Sequence, residues 1–176
     1  MPIAKQFVLL ASVLSLTGIL GTGVAKAQEK ATPEDRAAIQ KCLDAAKKSG
    51  AAAETCIGTV QKPCLESPDG QSTLGMKICS GREMAAWDER LNRFYQALLH
   101  GGIGAVQAER GQRKLTGADV LRDAQRAWLN FRDKKCDAAG LPMEGGTGAG
   151  ILVADCYMVE TARQTLWLEE MGSEGN

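Results

Sequence analysis

The stretch Met84-Ala85-Ala86-Trp87-Asp88-Glu89-Arg90-Leu91-Asn92-Arg93-Phe94-Tyr95-Gln96-Ala97-Leu98-Leu99 decides the fold class. Met84, Trp87, Leu91, Phe94 or Tyr95, and Leu98 recur at steps of three and four, the period of one face of an α-helix. Asp88, Glu89, Arg90 and Arg93 take the other faces. The helix is expected to begin near Thr73 or Ser80. It ends at His100-Gly101-Gly102, with an imidazole near the negative terminus and a glycine available for a left-handed cap.

The same period recurs on both sides. Leu121, Ala124, Trp128 and Phe131 form the stripe of a helix over about Ala118–Cys136, and Leu152, Cys156, Val159, Ala162 and Leu166 that of one over about Ile151–Met171. Towards the N-terminus, Thr32 is a suitable N-cap and Pro33 a suitable first helical residue, with Glu34 and Asp35 at the positive end of the dipole. That helix runs to about Lys48 and breaks at Ser49-Gly50, and a second short helix is expected over Ala51 to about Val60. The connector from Gly101 to Gly117 is read as helical in its middle. No strand alternation competes with this pattern. The expected fold is all-α: a small disulfide-stapled helical bundle with an N-terminal helical hairpin.

The chain has 176 residues, 44% hydrophobic, with 21 basic and 21 acidic side chains and a single His. That length fits one domain or a small pair, and the composition excludes a disordered chain or a polytopic membrane protein. Zero net charge excludes the basic stripe of a nucleic-acid binder. One His leaves little from which to build a His-based metal site or a Ser/His/Asp centre; no metal and no cofactor is expected.

The first residues read as an export signal: Lys5 supplies the positive n-region, Phe7 to Leu20 the apolar run, and Ala25-Lys26-Ala27 an A-x-A cleavage site. Residues 1–27 are therefore expected to be removed. Residues 28–176 carry 19 basic and 21 acidic side chains. No Cys sits just after Ala27, so a lipid anchor is not expected, and no membrane contact is expected after cleavage. The predicted location is periplasmic or secreted.

All six cysteines lie beyond the signal: Cys42, Cys56, Cys64, Cys79, Cys136 and Cys156. An even count in an exported chain reads as a disulfide framework, and there is no C-x-x-C for redox chemistry or a zinc knuckle. Proximity in the helical reading selects one connectivity. Cys42 and Cys56 flank the Ser49-Gly50 break, Cys64 and Cys79 bracket a polar loop at 65–75, and Cys136 and Cys156 flank a glycine loop at 138–150. The expected division is a signal over 1–27, a hairpin extension over 28–62, a main helical domain over 63–171 and a tail over 172–176.

One ordered series of residues carries a family resemblance. Asp88-x-x-Leu91-Asn92-x-x-Tyr95 is followed by Gln125-x-x-Trp128-x-x-x-Arg132-Asp133-x-x-Cys136, then Gly145-Gly146-Thr147, then Cys156-x4-Thr161. In combination the series resembles the LprI-like lysozyme inhibitor N-terminal domain family over about Cys64–Leu168. The resemblance implies an exported helical binding protein whose protein partner is a lysozyme-type muramidase. Gln164 departs from the family, which often carries Arg at that place. The alternative function is a periplasmic interaction or envelope-stress module with a non-lysozyme partner.

Catalysis is not indicated. His100 is read as a helix-end residue rather than a general base. Glu169-Glu170 and the pair Asp119 and Asp123 are read as solvated helix charges, with no carboxylate dyad singled out. The glycines from Gly145 to Gly150 lack the G-K-[ST] ending of a phosphate loop. Trp87, Leu91, Trp128 and Phe131 are spaced as core. Asn92, Gln125, Arg132 and Asp133 are expected to form a partly buried polar network. The candidate binding loops are the one bearing Ser67, Asp69 and Gln71 and the one bearing Glu144 and Thr147, each held beside a disulfide and able to enter a partner's cleft at low ordering cost.

Overall fold

The computed structural model describes residues 29–110 and 113–174; the expected signal lies outside them. In chain order come α1 (Pro33–Ser49), a 3-10 turn (Ala53–Cys56), α2 (Gln61–Glu66) and a second 3-10 turn (Pro68–Gln71). The long α3 (Thr73–His100) and the short α4 (Gly102–Ala105) follow, then strands β1 (Gln107–Arg110) and β2 (Arg113–Thr116). The chain closes with α5 (Gly117–Ala139), a 3-10 turn (Leu141–Met143) and α6 (Ala149–Glu174). The all-α bundle is as expected.

Local chemistry sets the helix starts. Thr32 and Asp35 form a capping box for α1, and Thr116 and Asp119 form another for α5, each pair exchanging side-chain and backbone hydrogen bonds. Gly50 (φ 74°) closes α1 in the left-handed conformation. Gly101 closes α3 with φ −91°, so the left-handed cap expected there is absent. The second arm of the expected N-terminal hairpin is the Ala53–Cys56 turn rather than an α-helix. Gly58 falls within the expected helical span with a φ of 98°, which no continuous helix accommodates.

The connector differs from its expected helical middle. It holds α4 and a two-stranded antiparallel hairpin in which Glu109 pairs with Lys114 and Gln107 with Thr116. Strands of four residues, with one apolar residue each, are too short for a periodicity reading to catch, while the opposite charges of Glu109 and Lys114 favour the pairing.

α3 and α6 pack along each other, with α5 against both and α1 against the middle of α3. One core cluster gathers Ile39, Leu43, Ala46, Cys56, Val60, Ala86, Trp87 and Ala162; a second gathers Leu91, Leu98, Leu121 and Leu168. α1 thus shares its core with α3 and α6. Asp35 pairs with Arg82 at 2.6 Å, Arg36 with Glu89 at 2.9 Å, and Arg90 donates both to Gln40 and to Glu169 of α6.

The stripe of α5 is rotated from the one expected. Leu121, Gln125 and Cys136 are buried, whereas Ala124 is exposed and Phe131 is 55% exposed. The bond from Cys136 to Cys156 fixes the rotation, since Phe131 stands about 140° from Cys136 at 100° per residue. In α6 the buried line is Met158, Thr161, Ala162, Thr165 and Leu168. Glu169 is not a solvated charge: it accepts a bidentate pair of hydrogen bonds from Arg90, whose side chain is 11% exposed.

Candidate functional site

The three disulfides are those that proximity selected: Cys42–Cys56, Cys64–Cys79 and Cys136–Cys156. No free cysteine remains among the described residues. Three bridges place the chain in an oxidising, extracytoplasmic compartment.

The motif residues converge on one groove between α3 and α5. Asp88, Leu91, Asn92, Tyr95, Gln125 and Trp128 all line it, and its volume is about 410 Å³. Helical spacing explains the convergence: Asp88, Leu91, Asn92 and Tyr95 occupy one side of α3, and Gln125 and Trp128 face them from α5. Leu91 is buried and forms the floor. Asn92 is exposed and donates to the Asp88 carbonyl and carboxylate at 2.9 and 3.0 Å. Gln125 accepts from Gln164 of α6 at 3.0 Å, so the residue that departs from the family pattern bonds a motif residue.

The remaining motif residues lie outside this groove. The Arg132 guanidinium lies 4.9 Å from the Trp128 ring centre and 5.2 Å from that of Tyr157, and the carboxylate of Asp133 holds it at 2.9 Å. Stacking between two rings sets the Trp128 rotamer. Thr161 lies in the core, fully buried, and its hydroxyl has no hydrogen-bond partner among the described residues. The expected polar network is therefore two local clusters, Asp88 with Asn92 and Gln125 with Gln164, plus the stacked Arg132.

Electrostatics in the groove follow from burial. Desolvation raises the Asp88 carboxyl above its ordinary value, partly opposed by the charge of Arg132 and the hydrogen bond from Asn92. The Tyr157 phenol is raised by desolvation and by the carboxylates of Asp133 and Asp137. On α6, burial would raise Glu160, but hydrogen bonds from Lys135 of α5 and from Arg163 overcome it and hold its carboxyl low. Among the described residues no group of three His, Cys, Asp or Glu side chains gathers as a metal site.

The two candidate loops differ. The segment bearing Ser67, Asp69 and Gln71 is tightly built: Ser67 caps the Gly70 N–H and donates to the Cys64 carbonyl. Gly70 is packed so closely that a Cβ there would lie 2.0 Å from the Cys64 carbonyl oxygen. Asp69 and Gln71 are exposed at its edge. The segment bearing Glu144 and Thr147 has both exposed, beside two large apolar side chains that sequence reading passed over: Leu141, 65% exposed, and Met143, 51% exposed.

Glu83 is the other residue that sequence reading missed. It is fully buried, and its Oε1 accepts from the Gly58 N–H at 2.6 Å and from Trp87 Nε1 at 3.0 Å. Its Oε2 accepts from the N–H groups of Val60 and Gln61 at 2.8 and 2.7 Å. An α3 side chain thus caps the start of α2 and ties the N-terminal extension to the bundle.

A family model described as "Lysozyme inhibitor LprI" matches residues 64–168. The chain belongs to that family. The LprI span opens at the first cysteine of the second bridge and closes inside α6, so it contains both walls of the groove and the Leu141–Thr147 segment. α1 lies outside it yet packs into the same core. A protein of Rhizobium meliloti (strain 1021), itself described as uncharacterized, is 31% identical over 120 residues, covering 66% of this chain and 86% of its own length. No solved structure matches the chain.

Proposed function

We propose that this LprI-family chain is an exported, non-catalytic binding protein that inhibits lysozyme-type muramidases by placing the Leu141–Thr147 segment in the substrate cleft. The observation that carries the reading is the exposure of Leu141 and Met143 on a segment closed by the Cys136–Cys156 bridge. Apolar side chains held out by a short stapled turn bury surface on contact at little ordering cost. Pro142 stiffens the turn, and Glu144 and Thr147 supply polar contacts beside it. The Ser67–Gln71 segment is packed tightly around Gly70, spends its Ser67 hydroxyl on internal bonds and exposes no large apolar side chain, which disfavours it as the inserting element.

Lysozymes are generally cationic, so an excess of acidic over basic side chains in residues 28–176 aids encounter. The signal over residues 1–27 delivers the chain to a periplasm or to the medium. The deciding experiment follows clearing of bacterial cell suspensions by lysozymes of several types with purified protein added. Clearing slows with protein concentration, and a Leu141→Ala/Met143→Ala double variant with an unchanged melting curve is at least tenfold weaker. Unchanged clearing at large molar excess across lysozyme types refutes inhibition. Equal potency of the double variant refutes the loop.

A further inference from the structure

We propose that the groove between α3 and α5 is a binding site for a neutral saccharide, separate from the Leu141–Thr147 segment. The groove of about 410 Å³ falls within the size range of small-molecule clefts. Two aromatic side chains, Tyr95 and Trp128, share it with the carboxylate of Asp88 and the carboxamides of Asn92, Gln96 and Gln125.

The donor and acceptor inventory selects the ligand class by elimination. Among the described residues, neither the Tyr95 hydroxyl, the Trp128 indole N–H nor the Gln96 amide has a hydrogen-bond partner. An apolar ligand would strip water from these groups and return nothing, which is costly. An anionic ligand needs an uncommitted cation. The two arginines at the groove, Arg122 and Arg126, stand beside the carboxylates of Asp119 at 3.3 Å and Asp123 at 3.2 Å, and Asp88 adds a third, so the local charge is net negative and repels an anion.

A neutral polyhydroxylated ring meets both demands. Its C–H faces lie on aromatic rings, while each hydroxyl both donates and accepts, matching a carboxylate that only accepts, carboxamides that do both and an indole that only donates. The Arg132 guanidinium packed on Trp128 and the Asn92 bond to Asp88 hold two of these groups in place before ligand arrives.

The test is a titration of the isotope-labelled full-length protein with chitotriose and maltotriose, followed by nuclear magnetic resonance, with no lysozyme present, so its failure is distinct from failure of muramidase inhibition. The expected result is saturable movement of the Asn92 and Gln96 side-chain amides and the Trp128 indole signal, at millimolar affinity. The Trp87 indole, committed to Glu83, stays still. Gln96→Ala at an exposed position keeps the spectrum dispersed and weakens binding about fivefold, the worth of one hydrogen bond. Tyr95→Phe, which retains the ring, provides a second variant and also weakens binding. Absence of saturable movement overturns the proposal, as do shifts scattered over the surface, binding indifferent to both variants, or the same shifts from inorganic phosphate.

Discussion

Replacing Glu83 by Gln alters a single terminal atom and is expected to destabilise the protein by about 2–4 kcal/mol. The magnitude follows from four bonds. Each carboxylate oxygen accepts from two donors, Oε1 from Gly58 N–H and Trp87 Nε1, and Oε2 from the N–H groups of Val60 and Gln61. Whichever oxygen becomes an amide nitrogen then faces two N–H groups, leaving two buried donors without acceptors at roughly 1–3 kcal/mol each. The two surviving bonds also lose their charge assistance. Against this, the neutral side chain no longer has to be desolvated as an anion, which offsets part of the loss. A domain of ordinary stability, about 5–15 kcal/mol, has little margin for such a change. In urea, with a slope of about 1–3 kcal/mol per molar, the unfolding midpoint should fall by about 0.7–4 M. Hydrogen exchange gives a local readout: the Gly58, Val60 and Gln61 amides are protected in the native protein and lose protection in the variant before α6 does. A midpoint within about 0.2 M of the parent, beneath the expected range by any slope, would falsify the capping argument.

Other consequences are equally direct. Thr161→Val removes a buried hydroxyl that has no partner, and a gain of about 1 kcal/mol is expected in urea unfolding, whereas a loss would show that the hydroxyl is satisfied. Glu160, held below its ordinary value, contributes stability that is present above its unfolded value of 4.5 and lost as pH falls through the lower folded value. Glu160→Gln should flatten the stability profile in that acid window, and an unchanged slope would contradict it. Asp88 acts in the opposite sense. Its raised value means that the native state loses stability as pH climbs from 3.8 through the folded value, so Asp88→Asn should gain on the parent at neutral pH and converge with it below 3.8. Finally, the Cys136→Ser/Cys156→Ser double variant releases a bridge of sequence separation 20 and should lose roughly 3 kcal/mol, measured by calorimetry. It should also lose inhibition in the clearing assay at temperatures where it remains folded.

The sequence alone determined the four long helices and the crosslinks. Their signals are local: the three-and-four spacing from Trp87 to Leu98, the Thr32 and Thr116 caps, and cysteines within 14 to 20 residues of their partners on either side of a break. The ordered motif also announced the family, because it needs only residue identities in order. Rotation and burial belonged to tertiary structure. Phe131 has core spacing yet points to solvent, because the Cys136 bridge turns α5 away from it. Glu83 reads as one more helix charge, since its partners are backbone N–H groups more than twenty residues away that carry no sequence signature. The groove was invisible for the same reason: its walls come from α3 and α5, and only packing those helices against α6 brings Asp88 and Asn92 opposite Gln125 and Trp128. Periodicity is a one-dimensional property of each helix, whereas a site is made of distances between helices.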